Sequence, residues 1–203
     1  MADSGSASFI EAARRAQITE AAITTVNEAG YHGASLAQIA ARAGTSKSVI
    51  SYHFGSKEQM LRSVVEHVFA RFDAVLSAAV ENVPSARAQL TSYIDAYLEF
   101  VRHHRDEVLA AMEISVSHRD SDGVPLYLVN SAEDTALVTS IVSEGVAAGE
   151  FRDTDLTVTA TTIIHALDGA VTHSHSNPDT NLVIYGEQLK EFLLAALVRG
   201  THE

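Results

Sequence analysis

Between Ser35 and Lys57 the chain reads SLAQIAARAGTSKSVISYHFGSK, two short segments of helical pattern broken by a single glycine. Ser35 and Gln38 stand at capping-box spacing, which marks where the first segment starts. Leu36, Ile39, Ala40 and Ala43 then give it a narrow apolar face, and Ala40 is small where a second helix has to cross closely. Gly44 follows, where a left-handed backbone stops a helix and turns the chain sharply. The pattern predicts a second helix from about Ser46 to His53, with Val49 and Ile50 inward and Ser46, Lys47, Ser48, Ser51 and Tyr52 largely outward. Ser56 and Gln59 repeat the capping-box spacing and open a further helix, with Lys57 in its first turn.

Two helices this short cannot cover each other. Ile18, Ala22, Thr25, Val26 and Ala29 fall at i, i+4, i+7, i+8 and i+11 and supply the stripe that closes a three-helix core. The outward face of the second short helix carries hydroxyls and one cation, and no carboxylate occurs between Ser35 and Lys57. Such a face can approach base edges and phosphates, which would repel a carboxylate. Lys57 adds its charge to the free backbone N–H groups of a helix start, a combination that suits a phosphate.

From Ile18 to Leu61 the chain reads ITEAAITTVNEAGYHGASLAQIAARAGTSKSVISYHFGSKEQML and resembles the tetracycline-repressor (TetR) family of bacterial regulators. The resemblance is carried by a first helix ending at Gly30-Tyr31, a Gly-x-Ser step into the second helix, and the closing Tyr-His-Phe-x-Ser-Lys-Glu. It implies that the stretch around Thr45 to His53 is a recognition helix and that Lys57 anchors a phosphate. Family members often carry Tyr, touching the DNA backbone, where this chain has Ser51; Tyr52 is the residue that can stand in for it. Pattern and resemblance together nominate Ser35, Thr45, Ser46, Lys47, Ser48, Ser51, Tyr52, His53 and Lys57 as DNA contacts. Ser35 serves first as a cap, and His53 suits a packing role as well as a DNA contact.

Charge is divided along the chain. Residues 1–57 hold five basic and four acidic side chains, whereas the remainder holds nine and twenty-two. An acidic body behind a locally basic head weakens non-specific binding and helps orient the head. The 203 residues, 46% of them hydrophobic, suffice for one small domain and one larger one. The expected division is a disordered polar arm over 1–8, a helix-turn-helix domain over 9–57, a linking fourth helix over about 57–81, and a ligand-binding and dimerisation domain over 58–203. Without cysteine there is no disulfide framework or thiolate chemistry. The polar first residues lack the pattern of a secretory signal and no apolar run is of membrane-spanning length, so a cytoplasmic protein with no membrane partner is expected.

Beyond Lys57 the pattern stays helical, with three prolines in the whole chain, and predicts an all-α fold of about nine helices. The fourth carries Leu61, Val65, Val68, Phe72, Val75 and Ala79 on one stripe. The fifth, about 87–104, is apolar on two faces, Leu90, Ile94, Leu98 and Val101 on one and Tyr93, Tyr97, Phe100 and His104 on the other, and so is expected in the middle of the body. The aromatic face is either ordinary core or the lining of a small-molecule pocket, closed by Met112, Val116 or His165. Leu156, Ala160, Ile163, Leu167 and Val171, then Tyr185, Leu189, Phe192, Leu193 and Ala196, predict a C-terminal hairpin that pairs with its copy, Gly169 and Ala170 allowing close approach. A homodimer would set two recognition helices in successive major grooves about 34 to 36 Å apart.

His165, His173 and His175 near Asp168 invite a metal reading, but His173 and His175 point to different sides of a helix, and histidines at a helix C-terminus answer its dipole. No metal and no other cofactor is expected. Phosphate-binding glycine loops, nucleophile elbows and His-Glu-x-x-His are absent from the sequence, which argues against an enzyme. The expected function is a ligand-responsive transcriptional regulator, most simply a repressor that holds a near-palindromic double-stranded operator as a dimer and is released by a small-molecule effector. The alternatives are an architectural or partner-docking DNA binder without a switch, and a metal-responsive regulator.

Overall fold

The computed structural model describes residues 4–129 and 135–198. Ten helices are named among them: α1 Ser4–Gly33, α2 Leu36–Arg42, α3 Lys47–Phe54, α4 Lys57–Val80, α5 Ala86–His103, α6 Arg105–Ser117, α7 Leu126–Val129, α8 Ala136–Ala147, α9 Leu156–Ser176 and α10 Leu182–Leu197. No strand forms among the described residues; Arg119 and Pro125 make one isolated bridge. The all-α class holds. No described helix is long and apolar enough to cross a membrane.

The chain divides into two compact units, and not at residue 57. The first joins residues 1–70 to 105–129, and the second joins 71–104 to 130–203. In the first, Ile18, Ala22, Thr25 and Val26 are buried as the stripe predicts, while Ala29 is exposed. Ala21 and Ile23, off that stripe, are buried too. The reason is α6, which packs along α1 and sends Ala110, Ala111 and Ile114 into the same core as Ile39, Ile50 and Leu61. Sequence spacing on α1 alone carries no sign of this second neighbour. At the N-terminus, residues 1–3 lie outside the described residues, and α1 already begins at Ser4, inside the arm expected over 1–8.

In the second unit α5 is the central helix, packed against α8, α9 and α10. Both of its predicted faces are buried: Leu90, Ile94, Leu98 and Val101, and Tyr93, Tyr97 and Phe100. Ser85 caps its start by accepting from Ala88 N–H, and Glu150 reaches across the chain to accept from Arg87 N–H at 3.0 Å, placing a carboxylate at the positive end of the helix. The α4 stripe departs from expectation beyond Phe72, for Val75 is exposed and Leu76 and Val80 are buried instead. After Phe72 the buried row follows i+4 steps rather than i+3, both of which lie on one helical face.

Candidate nucleic-acid interface

Each boundary of the helix-turn-helix has a local cause. Ser35 Oγ accepts from Gln38 N–H while Gln38 Oε1 accepts from Ser35 N–H, so the capping box is complete. At the other end of α2, Gly44 has φ +58°. Its N–H bonds the Ala41 carbonyl and Thr45 N–H bonds that of Ala40 at 2.9 Å. This is the Schellman pattern, which satisfies the last carbonyls and needs the left-handed residue that glycine supplies. Ser46 caps α3 by accepting from Val49 N–H and also bonds the Ser48 hydroxyl at 2.8 Å. Ile50 is fully buried in the shared core and Val49 packs against it.

The remaining face of α3 is open. Lys47, Ser48, Ser51 and Tyr52 are exposed, Tyr52 by 83%, with Ser46 exposed beside them and Thr45 half-buried at the turn. His53 takes the packing role. Its side chain is nine-tenths buried, its Nδ1 has no hydrogen-bond partner, and it lies 3.8 Å from Glu11 Oε1.

Lys57 is engaged within the head. Its Nζ donates to the Tyr31 carbonyl at 2.9 Å and stands 5.2 Å from the Tyr31 ring. Ser56 and Gln59 complete a second capping box around the α4 start. Glu58, in the same turn, is held below the usual carboxylate range by backbone N–H at the helix start and then by the Ser56 hydroxyl. Tyr31 is a junction: its N–H donates to Glu113 Oε1, its hydroxyl meets His118 Nδ1 at 3.1 Å, and burial followed by the Glu58 charge pushes its phenol up. Gly30 just before it has φ +73° and kinks α1, and a side chain there would press on Glu113 Oε1. Sequence reasoning missed Tyr31, Glu113 and His118 as a set because more than 80 residues separate them. It also missed Arg15, which donates to the His53 carbonyl, although Arg15 sits one turn before the Ile18 stripe and on its face.

The candidate ligand residues separate. Tyr97 and Phe100 both stack on Phe72 at 4.8 Å between centroids, Tyr93 lies beside Tyr97, and His104 lies 4.5 Å from Phe100 with Arg71 Nη2 at 3.3 Å from its ring. Met112 belongs to α6 in the first unit, half-buried, and Val116 is exposed there. His165 is exposed on α9, its Nδ1 3.6 Å from Asp168 Oδ2, while Asp168 Oδ1 accepts from the Tyr97 hydroxyl at 2.7 Å. Tyr93, Tyr97, Phe100 and His104 therefore share one aromatic cluster; Met112, Val116 and His165 do not belong to it.

The hairpin stripes also need correction. Ala160, Ile163, Leu167, Ala170 and Val171 are buried within their own chain, because α9 packs on α8 and α5, and Leu193 is buried likewise. The apolar residues left outside are Val158 on α9 and Val183, Ile184 and Phe192 on α10, with Gly169 exposed. His173 stacks on Tyr185, with centroids 6.1 Å apart, in the last turn of α9.

A capped helix-turn-helix with an exposed, carboxylate-free second helix on an all-α body defines a class of DNA-binding regulator. Residues 18–64 match the family described as bacterial regulatory proteins, tetR family. The chain is 30% identical over 151 residues to the HTH-type transcriptional repressor NicS of Pseudomonas putida, covering 71% of this chain and 68% of that protein. It is 38% identical over 78 residues to the HTH-type transcriptional regulator BetI of Pectobacterium carotovorum, covering 36% of this chain and 40% of BetI. The transcriptional regulator FadR of Bacillus subtilis, solved in complex with stearoyl-CoA, shares the fold with a TM-score of 0.78 at 21% identity, over 89% of this chain and 97% of that one. The chain belongs to the TetR family of bacterial transcriptional regulators. It is a DNA-binding regulator and not an enzyme.

Proposed function

We propose that this regulator is a repressor that binds a near-palindromic operator as a homodimer and lets go when a small molecule binds its second unit. The observation that carries the reading is the exposed face of α3, where Lys47, Ser48, Ser51 and Tyr52 stand free of any neighbouring carboxylate in the motif. Thr45 and Ser46 at the turn, with Ser35 and Lys57 at the adjoining helix starts, are the phosphate-side contacts. NicS is itself a repressor, which supports the sign of regulation.

The homodimer forms through α9 and α10, and the face that meets the copy is the exposed one, with Phe192 and Ile184 as apolar anchors and Gly169 giving close approach. The effector site is assigned to the aromatic cluster of Tyr93, Tyr97, Phe100 and His104, and that FadR holds stearoyl-CoA supports the capacity of this fold for an organic ligand. Helix α4 is the route of the signal, since residues 57–70 belong to the first unit and 71–80 to the second.

Selection of bound duplexes from random DNA tests the proposal. The expected product is an inverted repeat with half-sites about one helical turn apart. Enrichment of single, unpaired sites would sink the dimeric reading, and no enrichment would sink sequence recognition by α3.

A further inference from the structure

Arg15 lies one turn before the buried stripe of α1, on the face it shares with Glu11 and Ile18. Its Nη1 donates to the His53 carbonyl at 2.5 Å and its guanidinium stands 4.3 Å from the Phe54 ring centroid. Both partners sit in the last turn of α3. A helix of eight residues is marginal alone, and its final carbonyls find no partner within it. In α3 the Ser51 carbonyl is taken by Gly55 N–H at 2.9 Å, and the His53 carbonyl is taken by Arg15. A cation at that end also answers the negative pole of the helix. On the side-chain side, Glu11 Oε1 stands 3.8 Å from the buried His53 Nδ1, beyond hydrogen-bond reach, so the hold on this residue is that of Arg15 on its backbone carbonyl.

We infer that Arg15 is the positioning residue of the recognition helix: it caps the C-terminus of α3 from α1 and so fixes the angle at which Lys47, Ser48, Ser51 and Tyr52 meet a duplex. The inference rests on the reading of α3 as the DNA-reading helix. A guanidinium can donate in its plane and stack on an aromatic face at once, whereas an ammonium supplies charge and a donor without the planar stack. Lysine is therefore a partial substitute. The neighbouring Arg14 bonds Gln17 along α1 and is the control.

The test uses the full chain and a duplex that the wild-type protein has selected from random DNA. Arg15→Ala binds that duplex roughly tenfold more weakly, the equivalent of about 1.4 kcal/mol, at fixed salt. Its dependence on salt keeps the wild-type slope, and its discrimination against single-base changes falls. In the free protein the amides of Phe54 and Gly55 exchange faster, those of α2 do not, Arg15→Lys recovers part of each effect, and Arg14→Ala has none. Wild-type affinity in Arg15→Ala overturns the inference. So does a salt slope shallower by about one with α3 protection intact, which would make Arg15 a phosphate contact. If Arg15→Ala melts the first unit, Arg15→Lys decides: intermediate α3 protection with α1 and α2 intact supports positioning, and wild-type protection overturns it. If the wild-type chain selects no duplex, the reading of α3 falls and takes the inference with it; if it does select one, the variants judge Arg15 alone.

Discussion

Lys57 holds the head together through one N–H and is proposed to anchor a phosphate through the others. An ammonium has three N–H groups, and one of them is spent on the Tyr31 carbonyl, which leaves donors for a phosphate. Lys57→Ala is expected to cost about 1–2 kcal/mol of stability from the lost charged hydrogen bond, read as a lower urea midpoint at unchanged m. It should also weaken DNA binding evenly across sequences and reduce the salt slope by about one, whereas changing Ser48 should shift base preference. An unchanged salt slope would leave Lys57 as a tether only. Glu58 next to it provides a pH signature. Its folded value lies below the ordinary 4.5, so its contribution is fully present above pH 4.5 and is lost as pH falls through the depressed value. Glu58→Gln should remove that part of the acid dependence of unfolding, and identical acid profiles for the two proteins would contradict it. The residue scale was partly legible: Ser35, Gly44 and Ser46 act on neighbours within five positions, so their roles follow from spacing. Arg15 and Glu113 act across 38 and 82 positions, and no local rule reaches that far.

Among the elements, α9 and α10 show where helical spacing runs out. A periodic apolar stripe says that a face is buried, and is silent on whether its own chain or a copy buries it. Here the stripe through Ile163 and Leu167 is consumed inside the second unit, and the surface proposed to meet a copy is the sparser one around Phe192, which is 69% exposed. Phe192→Asp is expected to leave the helical content of the chain intact and to shift it from dimer to monomer in sedimentation, with operator affinity falling in parallel. A dimer that survives this change would move the interface elsewhere. Helix α5 lies where its two stripes predict, because a helix apolar on two faces has to be covered on both, and the edge that carries Asp95 and Glu99 is the one left exposed. Helix α6 was not assigned to the reading head by any pattern, yet it packs along α1 and supplies Glu113 and His118 to the Tyr31 junction.

At the scale of the molecule, the compact units redraw the charge map. The first unit, counting residues 1–70 with 105–129, holds eight basic and eleven acidic side chains, so it is not basic as a body. Positive character is confined to the helix-turn-helix, where Lys47 is exposed on α3. Operator affinity should therefore fall steeply and linearly on a log–log plot with salt, and a flat dependence would exclude phosphate anchoring. The reading head was legible in advance, since caps, a left-handed glycine and i, i+4 spacing are local chemistry that a chain carries wherever it folds. The choice of which apolar face closes inward, the recruitment of α6 to α1, and the clamp of Arg15 on α3 arise only when distant segments pack. Their partners are chosen by the burial of surface in three dimensions, which spacing along the chain does not encode.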